Sequence, residues 1–341
     1  MIFNQSKNMQ RSFFPPAILE LLPALSALFL ISTAMTLINH KFLIPSNITN
    51  LLLQQAEPAT LALGLVMILL LGEIDLSVGA VSGFCAGIMA SLSVRHGVNP
   101  ILSILIAICV GALVGLFQSI WVVRFEIPAF IVTLAGLIAW QGGLFAVLGE
   151  KGTIGITDPK IEFLTQAFLS KTIGWLFILI LILGFAFVRY QHLNRSRKLE
   201  INGPSLIAVV AQVMIFSVIS LILNIYFNRD RGIPVSFFIA LVLAITLHLT
   251  LRYTRFGRQV FAIGGNPEAA RRSGISVKRT RVEVFMIATA CAGIAGVLGS
   301  SRLSAVGSSQ GGGTLLLNSI AAVVIGGTSL FGGRGHIWSA L

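Results

Sequence analysis

The stretch Ile101–Val123, ILSILIAICVGALVGLFQSIWVV, contains no charged residue. At about 1.5 Å per residue, a helix of that length crosses the ~30 Å hydrocarbon core of a bilayer. Working outward, blocks of the same kind occur at Ala17–Ile38, Leu51–Leu71, Leu76–Val94, Ile127–Leu148, Thr172–Val188, Pro204–Phe227, Ile233–Leu251, Val284–Ser301 and Leu315–Phe331. The spacing predicts an all-α polytopic membrane protein with about ten transmembrane helices. Composition agrees: 55% of the 341 residues are hydrophobic and 11% charged, whereas soluble domains carry roughly a quarter charged residues. A water-soluble globule is excluded. Length alone would suggest about two soluble domains, but the apolar blocks point to a single transmembrane domain over residues 1–341.

The net charge of +12 raises the possibility of nucleic acid, since a basic surface attracts phosphate. The basic residues instead fall in short connectors between apolar blocks, where they bias topology, and no aromatic residues interleave with them; no nucleic-acid partner is expected. Threading the chain through a bilayer with its N-terminus inside puts fifteen Lys and Arg residues on the inner side and eight on the outer, with Arg334 unassigned. That asymmetry supports a cytoplasmic N-terminus. Lys7 and Arg11 precede the first block as in a signal peptide, but no small-residue cleavage site follows and Pro23 interrupts the run, so a retained helix is expected. Cys85, Cys109 and Cys291 lie singly inside apolar blocks, which predicts core packing. His40, His96, His192, His248 and His336 are scattered, so neither a metal site nor a catalytic set is expected.

Several residues stand out against this background. The inner connector over 252–281 reads RYTRFGRQVFAIGGNPEAARRSGISVKRTR. Asn266 suits an N-cap, Pro267 the first helical position, Glu268 the positive helix end and Gly274 the stop. A short helix over Pro267–Ser273 is predicted. Such an element either transmits force from a soluble motor or is simply a structured loop. Glu73, Asp75 and Ser77 interrupt two apolar blocks at the inner boundary; they cap the helix starting at Leu76 or face a pathway or gate. Glu57, next to Pro58 within an apolar block, is a pathway candidate because ionisable groups at membrane depth are costly and often functional. Gln118, Thr133, Trp140, Gln141 and Asn318 supply polar or aromatic groups within spans, and Gln141 and Asn318 are held as pathway candidates. Gly79, Gly83 and Gly87, with Gly111 and Gly115, have the spacing that lets helices approach closely. The outer connector between Gly149 and Lys171 mixes turn residues with a short amphipathic stretch, suited either to an external partner or to a solvated loop. From Ala305 to Gly335 glycine is dense, which predicts a broken or re-entrant helix. The run from Ile337 stops at Leu341 and reads as truncated at the C-terminus.

Three of these segments, in order, resemble a known family. GEIDLSVGAVSGF, IPAFIVTLAGLIAWQGGLFAVLGEKGTIGITDP and AIGGNPEAARRSGI with the following VKRTRVEVFMIATACAGIAGVLGSSRL and LNSIAAVVIGGTSLFGGRG are similar to monosaccharide ABC importer permeases of the ribose and xylose type, particularly the D-xylose branch. The resemblance implies a bacterial inner-membrane permease subunit importing a pentose such as xylose. It also implies cytoplasmic ATPase subunits, an extracytoplasmic sugar-binding protein and a second permease copy as partners. On that reading Gly265, Asn266, Pro267, Glu268, Ala269, Ala270, Arg271 and Gly274 form the ATPase-coupling element. The chain lacks GxxxxGK[ST], so it is not itself an enzyme and carries no cofactor; the partner ATPase would bind ATP and Mg. Competing expectations are an ion-coupled secondary transporter or channel, for which Glu57 speaks, a membrane-embedded enzyme, or an inactive truncated permease.

Overall fold

Helix α1 covers Pro16–Ile38, α2 Pro45–Leu70, α3 Val78–Ala90 with a π-helical turn to Arg95, α4 Pro100–Arg124 and α5 Ala129–Leu148. After strand β1 at Thr153–Gly155 come α6, Pro159–Gln166, α7, Lys171–Lys198, α8, Leu206–Phe227, and α9, Val235–Tyr253. Helices α10, Arg255–Gly265, and α11, Pro267–Arg272, lead into α12, Val277–Leu303, strand β2, Ala305–Gly307, and α13, Thr314–Ile325. This computed structural model describes residues 16–198 and 203–341; Lys7 and Arg11 of the predicted inner charge lie outside the described residues.

Local sequence explains where the helices begin. Asn99 accepts from the Ile101 N–H with Pro100 at the first position, and Asp158 accepts from Lys160 with Pro159 in the same role. Ser205 and Thr254 cap α8 and α10. In each case a side-chain oxygen satisfies an N–H that the first helical turn leaves unpaired.

Among the described residues, eight helices are long and apolar enough to cross a membrane: α2, α3 with its extension to Arg95, α4, α5, α7, α8, α9 and α12. A shorter apolar stretch, Ala24–Ile38, lies in α1. The block expected to cross last, Leu315–Phe331, departs from the expectation. Its helix α13 has only 12 residues, about 18 Å, and ends where Gly327 takes φ +96. That helix alone is too short for a full crossing.

The chain divides into two compact units. One comprises Leu28–Leu51 and Phe168–Pro234 together with the start of α1, and its main feature is the α7–α8 pair. There Phe185 stacks on Phe216 at 4.5 Å, and the Arg231 guanidinium sits 4.5 Å from the centre of the Phe168 ring.

The other unit comprises Leu52–Ala167 and Val235–Leu341, with Glu20–Ala27, and contains the main core. Helix α12 packs along α3 and α4. A Cβ added at Gly111 of α4 would meet the Thr289 carbonyl oxygen at 2.5 Å, and one at Gly115 would collide with the Phe285 carbonyl, so these glycines bring α4 and α12 together as their spacing predicts. Gly79 and Gly83 of α3 do something different. They face the backbone of Gln310 and Gly311, a loop and not a helix, with a Gly79 Cβ placed 2.6 Å from the Gly311 oxygen. Gly87 faces Leu144 of α5.

Cys85 and Cys291 are buried as expected, whereas Cys109 is exposed on α4. An apolar thiol is tolerated on a lipid-facing surface. In the outer connector, β1 pairs antiparallel with β2, Ile154 opposite Val306, and α6 buries Ile161 and Thr165. Ser301 donates to the Ile161 carbonyl at 2.7 Å. This connector is therefore packed on its own unit rather than simply solvated.

Candidate functional site

The connector over 252–281 folds as its caps dictate. Helix α10 buries Gly257, Val260 and Ile263 while exposing Arg255 and Arg258, an amphipathic pattern. Asn266 then accepts from the Ala269 N–H at 3.0 Å and Pro267 opens α11. Gly274 takes φ +81, which side chains resist, and donates to the Arg271 carbonyl at 3.0 Å. Ala270 is the buried anchor of this turn, while Gly265, Asn266, Pro267, Glu268, Ala269, Arg271 and Gly274 are exposed. Glu268 and Arg271 pair at 3.1 Å with both side chains largely in solvent, an arrangement worth little to stability and free to exchange partners. The result is a short, rigid, hydrophilic knuckle.

Next to it, the α2–α3 turn carries Glu73, Asp75 and Ser77. Asp75 is fully buried, and its Oδ1 accepts from both the N–H and the hydroxyl of Ser77 at 2.7 Å. Burial pushes the Asp75 carboxyl up to about 6, with the hydrogen bonds from Ser77 opposing. Gln118 of α4 donates to the Ser77 Oγ at 2.9 Å, and the Leu76 N–H donates to Thr133 Oγ1 of α5 at 3.2 Å. These polar groups tie the start of α3 to the last turns of α4 and the first turns of α5. Asp75, Ser77, Gln118 and Thr133 have no exposed surface to offer a solute. Glu73 instead pairs with Arg281 of α12 at 2.6 Å; burial raises its carboxyl and the Arg281 charge opposes the rise. The pair lines a cleft of about 380 Å³ with Glu126 and Lys278. Arg281 lies in the first turns of the helix that follows the knuckle, a link that nothing local in the sequence announces.

The third cluster is built around the loop that leads into α13. Glu57 is almost entirely buried in α2; its Oε1 accepts from Gln310 Nε2 at 3.1 Å and its Oε2 lies 3.7 Å from Arg302. Gly299 of α12 packs directly on this carboxylate. Gln141 of α5 donates to the Ser308 carbonyl at 2.7 Å. Asn318 lies exposed on α13. Trp140 is half-buried, 5.3 Å from Phe84 and 6.2 Å from Phe117. Of the residues singled out from sequence, Glu57 and Gln141 thus meet on one loop, through partners that pattern reading did not find: Arg302, Ser308 and Gln310. Glu57 and Gln310 are 253 positions apart, so no local signal connects them.

The described chain is thus a many-helix membrane domain with a capped helical knuckle between two spans. The model of the family described as branched-chain amino acid transport system / permease component matches residues 47–334, and the chain belongs to this family. It is 38% identical over 302 residues to the xylose transport system permease protein of Escherichia coli (strain K12), covering 88% of this chain and 76% of that protein. It is 36% identical over 301 residues to the corresponding protein of Haemophilus influenzae, covering 88% and 80%. The ribose import permease protein of Escherichia coli (strain K12) is 27% identical over 332 residues, covering 97% and 84%. These relatives group the chain with ABC permeases of the ribose and xylose type. No solved structure matches.

Proposed function

We propose that the chain is the membrane subunit through which an ATP-driven importer moves a monosaccharide, a pentose such as xylose, across a bacterial inner membrane. The observation that carries this reading is the similarity to xylose permeases over 88% of the chain. Cytoplasmic ATPase subunits would seat against the knuckle from Gly265 to Gly274, and an extracytoplasmic binding protein would deliver the sugar. ATP and Mg belong to the ATPase, and this chain contributes no covalent chemistry. A second copy of the permease would complete the conduit, with the N-terminus of each copy in the cytoplasm.

The exposure of the knuckle supports the coupling role, because seven polar or small residues stand clear of the core on one buried anchor, Ala270. Its covalent continuity with α12 gives a motor a lever on the bundle, and the Arg281–Glu73 pair extends that lever to the α2–α3 turn. Glu73 is thereby a candidate for the inner gate. Asp75 and Ser77, fully buried, would hold the inner helix ends in register for it.

The test is uptake of radiolabelled xylose into proteoliposomes holding the permease, its ATPase and its binding protein. Uptake that requires ATP and the ATPase is expected. Uptake persisting without the ATPase would favour an ion-coupled transporter instead, and uptake of leucine but not xylose would remove the sugar.

A further inference from the structure

The exposed faces of α4 and α5 are apolar, with Leu105, Leu113 and Phe117 on the first and Ile131, Leu134 and Ile138 on the second. They suit lipid or another apolar helix. The segment over 308–325 is mixed, with Leu317 and Ile325 exposed beside polar groups. Ser308, Ser309, Thr314 and Asn318 are exposed, and Gln141, half-buried, lies against Ser308. Thr314 and Asn318 are one helical turn apart and share a face of α13.

Three contacts set the depth of this segment. Ser308 meets α5 at Gln141, seven residues from the outer end of that helix. Gln310 meets α2 at Glu57, near the middle of a 26-residue helix. Gly311 meets α3 at Gly79, one residue after its inner start. The chain thus descends from the outer β1–β2 ribbon into the membrane interior within a few residues, and α13 begins there. Hydroxyls and amides exposed at that depth cannot face hydrocarbon without losing their hydrogen bonds, at a cost of several kcal/mol each. They face water or a solute.

No ionisable side chain belongs to this strip. Beside it, Glu57 is buried with Gln310 as a partner, and Arg302, whose side chain is partly exposed, lies 3.7 Å from the Glu57 carboxylate. An amino acid would bring an ammonium and a carboxylate to side chains that carry no charge of their own, beside a Glu57–Arg302 pair already matched to each other, a costly desolvation. A polyhydroxyl solute asks only for neutral donors and acceptors. We infer that Gln141, Ser308, Ser309, Thr314 and Asn318 form the wall of the conduit at which an uncharged, polyhydroxylated solute is held in transit. The inference rests on the importer reading and adds to it the residues that select the solute.

Two measurements test it. In a Cys109→Ala background, Ser309→Cys and Asn318→Cys should react with a membrane-impermeant methanethiosulfonate in vesicles from cells expressing the full importer. Leu105→Cys, on the lipid-facing surface, should not, and saturating xylose should slow the reaction at residues 309 and 318. In proteoliposomes, Thr314→Val and Asn318→Leu should each raise the xylose concentration for half-maximal uptake about tenfold, the loss expected for one unpaired hydrogen bond, without altering association with the ATPase. The inference is overturned alone if xylose uptake is intact in the wild type while both cysteines stay unreactive, or while both isosteric variants transport as well as the wild type. Wild-type uptake of leucine in place of xylose overturns the solute class and the sugar reading together, even if the cysteines react.

Discussion

Asp75 is buried with its carboxyl pushed up to about 6, above the ordinary 3.8. The native chain therefore keeps a proton that the unfolded chain releases, and stability falls as pH rises through the window from about 4 to about 6. Glu73 shifts in the same direction, again through burial. The detergent-solubilised protein should accordingly unfold at a higher temperature at pH 5 than at pH 7. Asp75→Asn with Glu73→Gln should flatten that dependence. Glu57 makes a different demand, because its carboxylate answers both Arg302 and Gln310. Glu57→Leu would leave the buried Gln310 without its acceptor and the partly exposed Arg302 without its counter-charge, a loss of roughly 1–3 kcal/mol. Glu57→Gln retains an acceptor for Gln310 and should be markedly milder, a difference that thermal denaturation of the two variants would show. Read from sequence alone, the same side chain is a pathway candidate, because its partners Arg302 and Gln310 lie far along the chain.

The helices meet through glycines whose roles differ by partner. Gly115→Leu would force α4 off the Phe285 carbonyl of α12, an overpacking that costs several kcal/mol because backbone cannot yield as a side chain can; loss of folded protein after detergent extraction would register it. On the knuckle, Asn266→Ala removes the bond to the Ala269 N–H and should weaken α11 by about 1 kcal/mol. The readout is functional: ATP consumed per xylose imported should rise while the overall fold, followed by unfolding temperature, stays near wild type. Replacing both Glu268 and Arg271, an exposed pair, should also leave stability alone, so a fall in coupling there would isolate the docking role. The knuckle was legible in advance because capping is written in adjacent residues. The brevity of α13 was less so, since Leu315–Phe331 is apolar enough to cross and only the glycines beyond Ile325 interrupt it.

Taken together, the eight apolar spans and the family match describe a multi-pass membrane protein. With the N-terminus inside, a cysteine placed at Lys160 should react with an impermeant reagent from the outer side of intact cells. One placed at Ser273 should react only after the membrane is opened. The reverse pattern would invert the topology and move the knuckle away from any cytoplasmic motor. Sequence by itself determined the membrane class, the positions of the spans, the capped inner helix and the family, because hydropathy, caps and motifs are properties of neighbouring residues. Tertiary structure alone decided that Asp75 and Ser77 are buried in a polar network, that Glu57 meets Gln310 and Arg302, and that Gln141 of α5 bonds Ser308 at the start of the segment that carries Ser309, Thr314 and Asn318. Those outcomes depend on contacts between residues up to 253 positions apart, which packing of the whole bundle creates and no local pattern encodes.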